Sequence, residues 1–183
     1  MAELKQDPVV NVVYDGIKKG VQATLDAGCY GSAVILIYAG IDTMAFLGMP
    51  KNQEDVTSTD FMAWTERYLK FPCKEQPTPT DLWGARCGML HNYSSFSRLS
   101  RESKCRNIGY VDHSKPEVMS DPGVPTLILI SVKGLADAFF RGLDQYMIDL
   151  FANKERAAVA EARFGKLIHS MPVDHKALGG NAT

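Results

Sequence analysis

The sequence predicts a mainly α-helical fold, a bundle of five or six helices with a small two-stranded β-hairpin insertion. Apolar residues recur at helical spacing over most of the chain, and one long segment, Tyr30 to Gly48, is apolar nearly all round. Only two short β-branched runs, Asn107 to Asp112 and Thr126 to Val132, break the helical pattern. With 183 residues and 45% hydrophobic content the chain can bury one core. No linker or repeat divides it, so residues 1–183 are read as a single domain with a polar loop and hairpin insertion at about 94–132.

Val9, Val13, Ile17, Val21 and Leu25 repeat every four residues, with Asp15, Lys18, Lys19 and Asp26 between them. This is an amphipathic helix started at Pro8 and stopped near Gly28. Tyr30 to Gly48 follows, with Asp42 as its single charge, and a helix of that kind must sit at the centre of a bundle. After a polar stretch, Thr59 or Asp60 can cap a third helix that carries Phe61, Trp64, Tyr68 and Leu69 up to Pro72. Pro77-Thr78-Pro79-Thr80-Asp81 offers another N-cap, which predicts a fourth helix from about Asp81 to about Tyr93. From Ser94 to Gly123 the chain is polar and basic and reads as a loop, with the two β-branched runs forming the hairpin. Leu135 to Phe151 and Lys154 to Ile168 are helical patterns joined near Asn153, and the tail from Met171 to Thr183 reads as frayed.

Twenty basic residues against twenty-one acidic ones give a net charge of −1, which argues against a protein that holds duplex DNA by counterion release. Any nucleic-acid contact should be local. Cysteines at 29, 73, 87 and 105 form no C-x-x-C pair, and histidines at 91, 113, 169 and 175 have no zinc-ligand spacing with them, so neither metal nor cofactor is expected. Cys29 and Cys87 read as small core residues. The first residues contain no apolar leader, and Asp42 interrupts the longest apolar stretch, so no membrane association and a cytoplasmic location are expected.

Chemistry concentrates in Arg86-Cys87-Gly88-Met89-Leu90-His91-Asn92-Tyr93, which puts a permanent cation, a proton acceptor active near neutral pH and a phenol into one short run. An arginine fork matches phosphate oxygens bidentately, and histidine can take and return a proton at neutral pH. Arginine, four residues, histidine, one residue and tyrosine resembles the signature of HEPN domains, small helical dimers of which many are metal-independent ribonucleases. The resemblance rests on Trp83 to Tyr93, with support from the apolar helix Ala33 to Leu47, and Cys87 stands where catalytic members often carry a polar residue. It implies a homodimer whose motif helices meet at one cleft and which cleaves single-stranded RNA. His91 would deprotonate a ribose 2′-hydroxyl, Arg86 would stabilise the pentacoordinate phosphorus, and Asn92 and Tyr93 would orient the phosphate, leaving a 2′,3′-cyclic phosphate and a 5′-hydroxyl. It also implies a possible antitoxin partner of the nucleotidyltransferase type, which modifies the tyrosine. Arg98, Arg101, Lys104 and Arg106, with Phe96 and Tyr110 nearby, have the composition of an RNA-binding groove.

The same residues admit a structural reading. Arg86 falls among Leu82, Met89, Leu90 and Tyr93 on the helical wheel, a face that should meet the core, and Asp42 is the obvious partner for a charge placed there. The chain is then a non-catalytic HEPN-like dimer that binds a nucleotide or a protein partner. His91 projects to the other side, beside Gly84 and Gly88, where a second backbone could come close.

Overall fold

The computed structural model describes residues 8–112, 118–120 and 122–168. Its first helix has two parts, a π-helical segment Val10–Lys18 that runs directly into α1, Lys19–Asp26. Apolar residues spaced by four drift around an α-helix by about 40° per step, and the wider i→i+5 turn of a π-helix moves the row back the other way. Combining the two keeps Val13 and Val21 on one buried line.

Helix α2, Tyr30–Gly48, lies against this first helix and against four others, α3 (Ser58–Tyr68), α4 (Pro79–Asn92), α6 (Val132–Phe151) and α7 (Lys154–Phe164). Its all-round apolarity is the cause, since only a helix enclosed by others can hide residues such as Val34, Ile37, Ile41 and Leu47 from water. By length and composition α2 could cross a membrane, but half of that span is buried inside the protein. A single core joins α2 to Phe61, Leu82, Ile108, Ile128, Phe139 and Leu143 from its neighbours.

Capping boxes start the helices that flank it. Thr57, not Thr59 or Asp60, caps α3, and Asp60 is the reciprocal acceptor three residues on. Thr78 and Asp81 form the same box for α4, which begins at Pro79. Ser97 and Ser100 repeat it for α5 (Arg98–Arg101), a single helical turn in the segment expected to be loop. The Asn153 side chain accepts from the Arg156 N–H at 3.0 Å and starts α7.

The expected hairpin is not formed. β1 (Asn107–Val111) and β3 (Leu127–Ser131) pair in parallel, and a third strand, β2 (Val118–Ser120), pairs antiparallel to β3, giving the order β1-β3-β2. The connector is long enough to carry the chain back before β3 starts, so a tight antiparallel reversal is not required. The sheet docks through Ile108, Ile128 and Ile130, and the Tyr110 and Tyr38 hydroxyls meet at 2.6 Å, tying β1 to α2. The C-terminal tail from Met171 lies outside the described residues.

Arg163 closes the open end of α2. It is only 6% exposed, and it has no carboxylate partner among the described residues. Its Nη1 donates to the Phe46 carbonyl at 3.0 Å and to that of Met49, while Nη2 donates to the Pro50 and Gln53 carbonyls at 2.6 and 3.3 Å. A cation held at the negative end of a helix satisfies carbonyls that no further turn can reach. Losing charged hydrogen bonds of this kind costs about 3 kcal/mol, or roughly 6–12 °C for a domain of this size. We expect Arg163→Met to lower the melting temperature by that much, and Arg163→Lys to restore little of it because one ammonium cannot span the carbonyl set. A melt unchanged in Arg163→Met would show that the α2 terminus is satisfied some other way.

Candidate functional site

Helix α4 turns Arg86 inward. Its Nε and Nη2 both donate to Oδ2 of Asp42, at 2.9 and 2.7 Å, and the guanidinium lies 4.9 Å from the centre of the Trp83 ring. Each side chain of the pair is 20% exposed. Asp42 Oδ1 is buried and accepts no hydrogen bond, so both Arg86 donors converge on one oxygen. Burial pushes the Asp42 carboxyl above its ordinary range, and the hydrogen bonds and charge of Arg86 offset only part of that.

His91 and Asn92 end α4 and are exposed. Five residues on a helix separate side chains by about 140°, so within one chain His91 faces outward while Arg86 faces Asp42. Tyr93 follows in the left-handed region, at φ 51° and ψ 41°; its N–H donates to the Met89 carbonyl, and the Ser94 N–H to that of Gly88, each at 3.1 Å. Glycine usually fills such a cap, and a tyrosine there stores about 1 kcal/mol or more of strain. Contact with α2 holds it in place, since a Cβ built on Gly31 would come within 1.8 Å of the Tyr93 hydroxyl oxygen. The ring itself is 64% exposed, so Tyr93 is not the core residue its place on the wheel suggests.

The glycine face of α4 is filled by the chain's own return. A Cβ on Gly84 would meet Cys105 Sγ at 2.5 Å, and one on Gly88 would meet the Ser94 and Phe96 carbonyls at 2.4 and 2.9 Å. Close approach there is real, but it serves the segment after α4 and not a second copy.

The four basic residues after the motif divide into two groups. Arg106, expected among the RNA-contacting residues, is held within the protein: its Nε and Nη2 donate to Asp81 Oδ2 at 3.0 and 2.8 Å, its Nη1 to Glu75 at 2.9 Å, and its backbone N–H to Asp81 Oδ1 at 2.7 Å. Burial alone would raise the Asp81 carboxyl, but hydrogen bonds from Thr78 and Arg106 overcome it and hold that group below the usual carboxylate range. Arg98, Arg101 and Lys104 are exposed, and Arg98 and Lys104 lie 3.9 and 2.7 Å from Glu102. Phe96, 55% exposed, lies between Tyr93 and these cations along the chain. Cys87 is half-buried, while Cys29 is exposed just before α2 and is not a core residue.

Three sites were not read from the sequence: Arg163 at the end of α2, the Asp81–Arg106–Glu75 cluster, and a cavity lined by Trp64, Tyr146 and Arg156. Arg163 alone had a signal, because it falls with Ala160 and Phe164 on the buried row of α7. Among the described residues no group of three or more His, Cys, Asp or Glu side chains is placed to hold a metal, and His113, His169 and His175 lie outside them. Compared with protein-family models, curated proteins and solved structures, the chain matches none.

A pair this enclosed lies between an exposed bridge and a fully buried one, so losing Arg86 should cost about 2–3 kcal/mol at neutral pH. Asp42's folded-state pKa lies above its ordinary 3.8. Its contribution to stability is therefore fully present below the unfolded value and lost as pH rises through the raised folded value. Without Arg86 the carboxyl is raised further, and it needs no cation once protonated. The melting deficit of Arg86→Met relative to wild type should then fall to less than half of its neutral-pH size near about pH 4. A deficit equal at both pH values would mean that Arg86 stabilises the fold by packing on Trp83 and not by its charge.

Proposed function

We propose that the chain contacts single-stranded RNA through the exposed end of α4 and the turn of α5, with Arg86 structural. The observation that carries this reading is the exposure of two aromatic rings, Tyr93 and Phe96, in one short stretch with the exposed His91, Arg98 and Arg101. Aromatic faces accept unstacked bases, and cations beside them follow the phosphates without reading sequence. The contact is local, as a net charge of −1 requires. Arg86 stays out of it because its Nε and Nη2 are bonded to Asp42 and its side chain is turned inward.

A second reading, metal-independent cleavage, is favoured by the exposed imidazole of His91 at the edge of this surface. In it His91 takes the proton of a ribose 2′-hydroxyl, the 2′-oxygen attacks phosphorus, and the bond to the 5′-oxygen breaks. Arg86 would have to exchange Asp42 for the phosphate, or a second copy of the chain would have to supply the cation.

Fluorescence anisotropy with a labelled short oligouridine separates the outcomes. Arg98→Glu combined with Arg101→Glu should weaken binding about tenfold or more at low salt, while Arg86→Met should leave affinity unchanged below its melting point. Two neutralised phosphates give a log–log salt slope of about −1.4 on a single strand. Wild-type protein that leaves the oligonucleotide unbound at high micromolar concentration contradicts the proposal. Bound RNA that is cut in EDTA to cyclic phosphate ends, and left whole by His91→Ala, establishes the second reading; a catalytic proton acceptor contributes about 10² to 10⁴ in rate.

A further inference from the structure

Arg163 holds α7 against the last turn of α2, and beside that contact a groove of about 610 Å³ runs along α7. One wall is a row on α7 itself, Glu155, Ala158 and Ala162, continued by Lys166 in the turn that follows the helix. All four are exposed. Steps of three and four residues bring side chains onto one helix face, so the row is a continuous ridge. Val159 and Phe46, both half-buried, add apolar surface to the groove, and Lys51 and Glu54 stand on its other wall.

The charges of this groove are unmatched within the chain. Among the described residues Lys51, Glu54, Glu155 and Lys166 form no ion pair, whereas Lys18 is paired with Asp144 and Arg67 with Asp149 elsewhere on the surface. Their order along α7 is self-complementary. The row is acidic at one end, small and apolar in the middle and basic at the other, with Glu155 and Lys166 about 16 Å apart along the axis. Turned end for end about a two-fold axis between positions 160 and 161, it meets its own complement: Glu155 faces Lys166 of the second copy, and Val159 faces Ala162 of the second copy. A parallel arrangement would instead set Glu155 against Glu155 and Lys166 against Lys166. Alanines in the middle let the two helix axes come to the near end of the usual range of about 8–10 Å.

We propose that two copies of the chain pair through this face, α7 against α7 in antiparallel, with Ala158, Val159 and Ala162 at the centre and the Glu155–Lys166 contacts at both ends. The contact is isologous, the same patch on both partners, and it closes as a dimer. It differs from a pairing through the glycine face of α4, which the chain's own segment fills. The α7 groove lies at the opposite end of α2 from the Gly31–Tyr93 contact, since Gly31 and Phe46 are about 22 Å apart along that helix. Pairing here leaves the motif helices of the two copies apart, and it does not depend on the RNA-contacting reading.

Sedimentation velocity of the full-length protein tests the pairing. An interface with a small apolar centre and a charged rim belongs among the weak ones, so the monomer–dimer transition should be followed from about 10 to 500 µM at low salt. Raising the salt from about 50 to 500 mM should weaken the dimer several-fold, because exposed ion pairs are screened. Glu155→Lys or Lys166→Glu alone sets like charges against each other twice by symmetry and should weaken it at least about tenfold. The two changes combined restore opposite charges at both ends and should return the dimer to near wild-type affinity. Both side chains are exposed, and circular dichroism of each variant checks that the helical fold is kept. Wild-type protein that stays monomeric at about 500 µM overturns the proposal. A dimer that neither single reversal weakens places the contact on another face and overturns it, as does a combined variant that remains monomeric.

Discussion

Helix α2 has no face that water tolerates, and the rest of the protein is arranged by that constraint. Five other helical segments enclose it, and the small sheet closes over it through the Tyr38–Tyr110 hydroxyl contact. An apolar helix still carries polar obligations, and α2 has two: the Asp42 carboxylate in its interior and the carbonyls of its last turn. Arginines answer both, Arg86 from α4 and Arg163 from α7. The choice of side chain is physical. A guanidinium is planar, permanently charged and carries five donors, so it can sit against an aromatic ring and satisfy several oxygens at once. Each of these arginines sits against a ring, Arg86 over Trp83 and Arg163 over Phe46, and Arg163 satisfies several oxygens as well.

Enclosure of α2 sets what the motif helix can do. Arg86 and His91 lie on one helix but serve opposite sides, one inward to Asp42 and the other outward. What reaches solvent is the end of α4 and the turn of α5, where Tyr93 holds a strained left-handed cap against Gly31. Strain of that sort persists only where surrounding contacts determine it, and it commonly marks surfaces that act on something. The two glycines that could have admitted a neighbouring molecule admit the chain's own segment, which brings the Phe96 backbone against the motif helix.

Much of this was legible beforehand because the signals were strong and local. The limits of α2 and the start of α7 follow from apolar patterning and caps, and the Asp42–Arg86 pair follows from each being the lone charge on an apolar face. Signals that depend on distant partners were not legible. Whether β1 and β3 run parallel or antiparallel depends on where a long connector travels, which β-branched composition does not encode. Arg106 is indistinguishable in sequence from Arg98 and Arg101, and only the fold brings Asp81 and Glu75 to it. Tyr93 falls on the core side of an ideal wheel, but the helix ends one residue earlier and the left-handed turn redirects its ring. Thr57 carries its own signal as the cap of α3, because the Thr57–Asp60 spacing is that of a capping box.

The claim on which the rest depends is that Arg86 and Asp42 act on each other and not on separate partners. A double-mutant cycle built from Asp42→Asn, Arg86→Met and the combined variant, measured by denaturant unfolding at neutral pH, tests it most directly. The geometry predicts a coupling of about 1–2 kcal/mol, with the double variant closer to wild type than the sum of the single losses. Additive losses, agreeing within about 0.5 kcal/mol, would contradict it and return Arg86 to the pool of groups free to meet a phosphate.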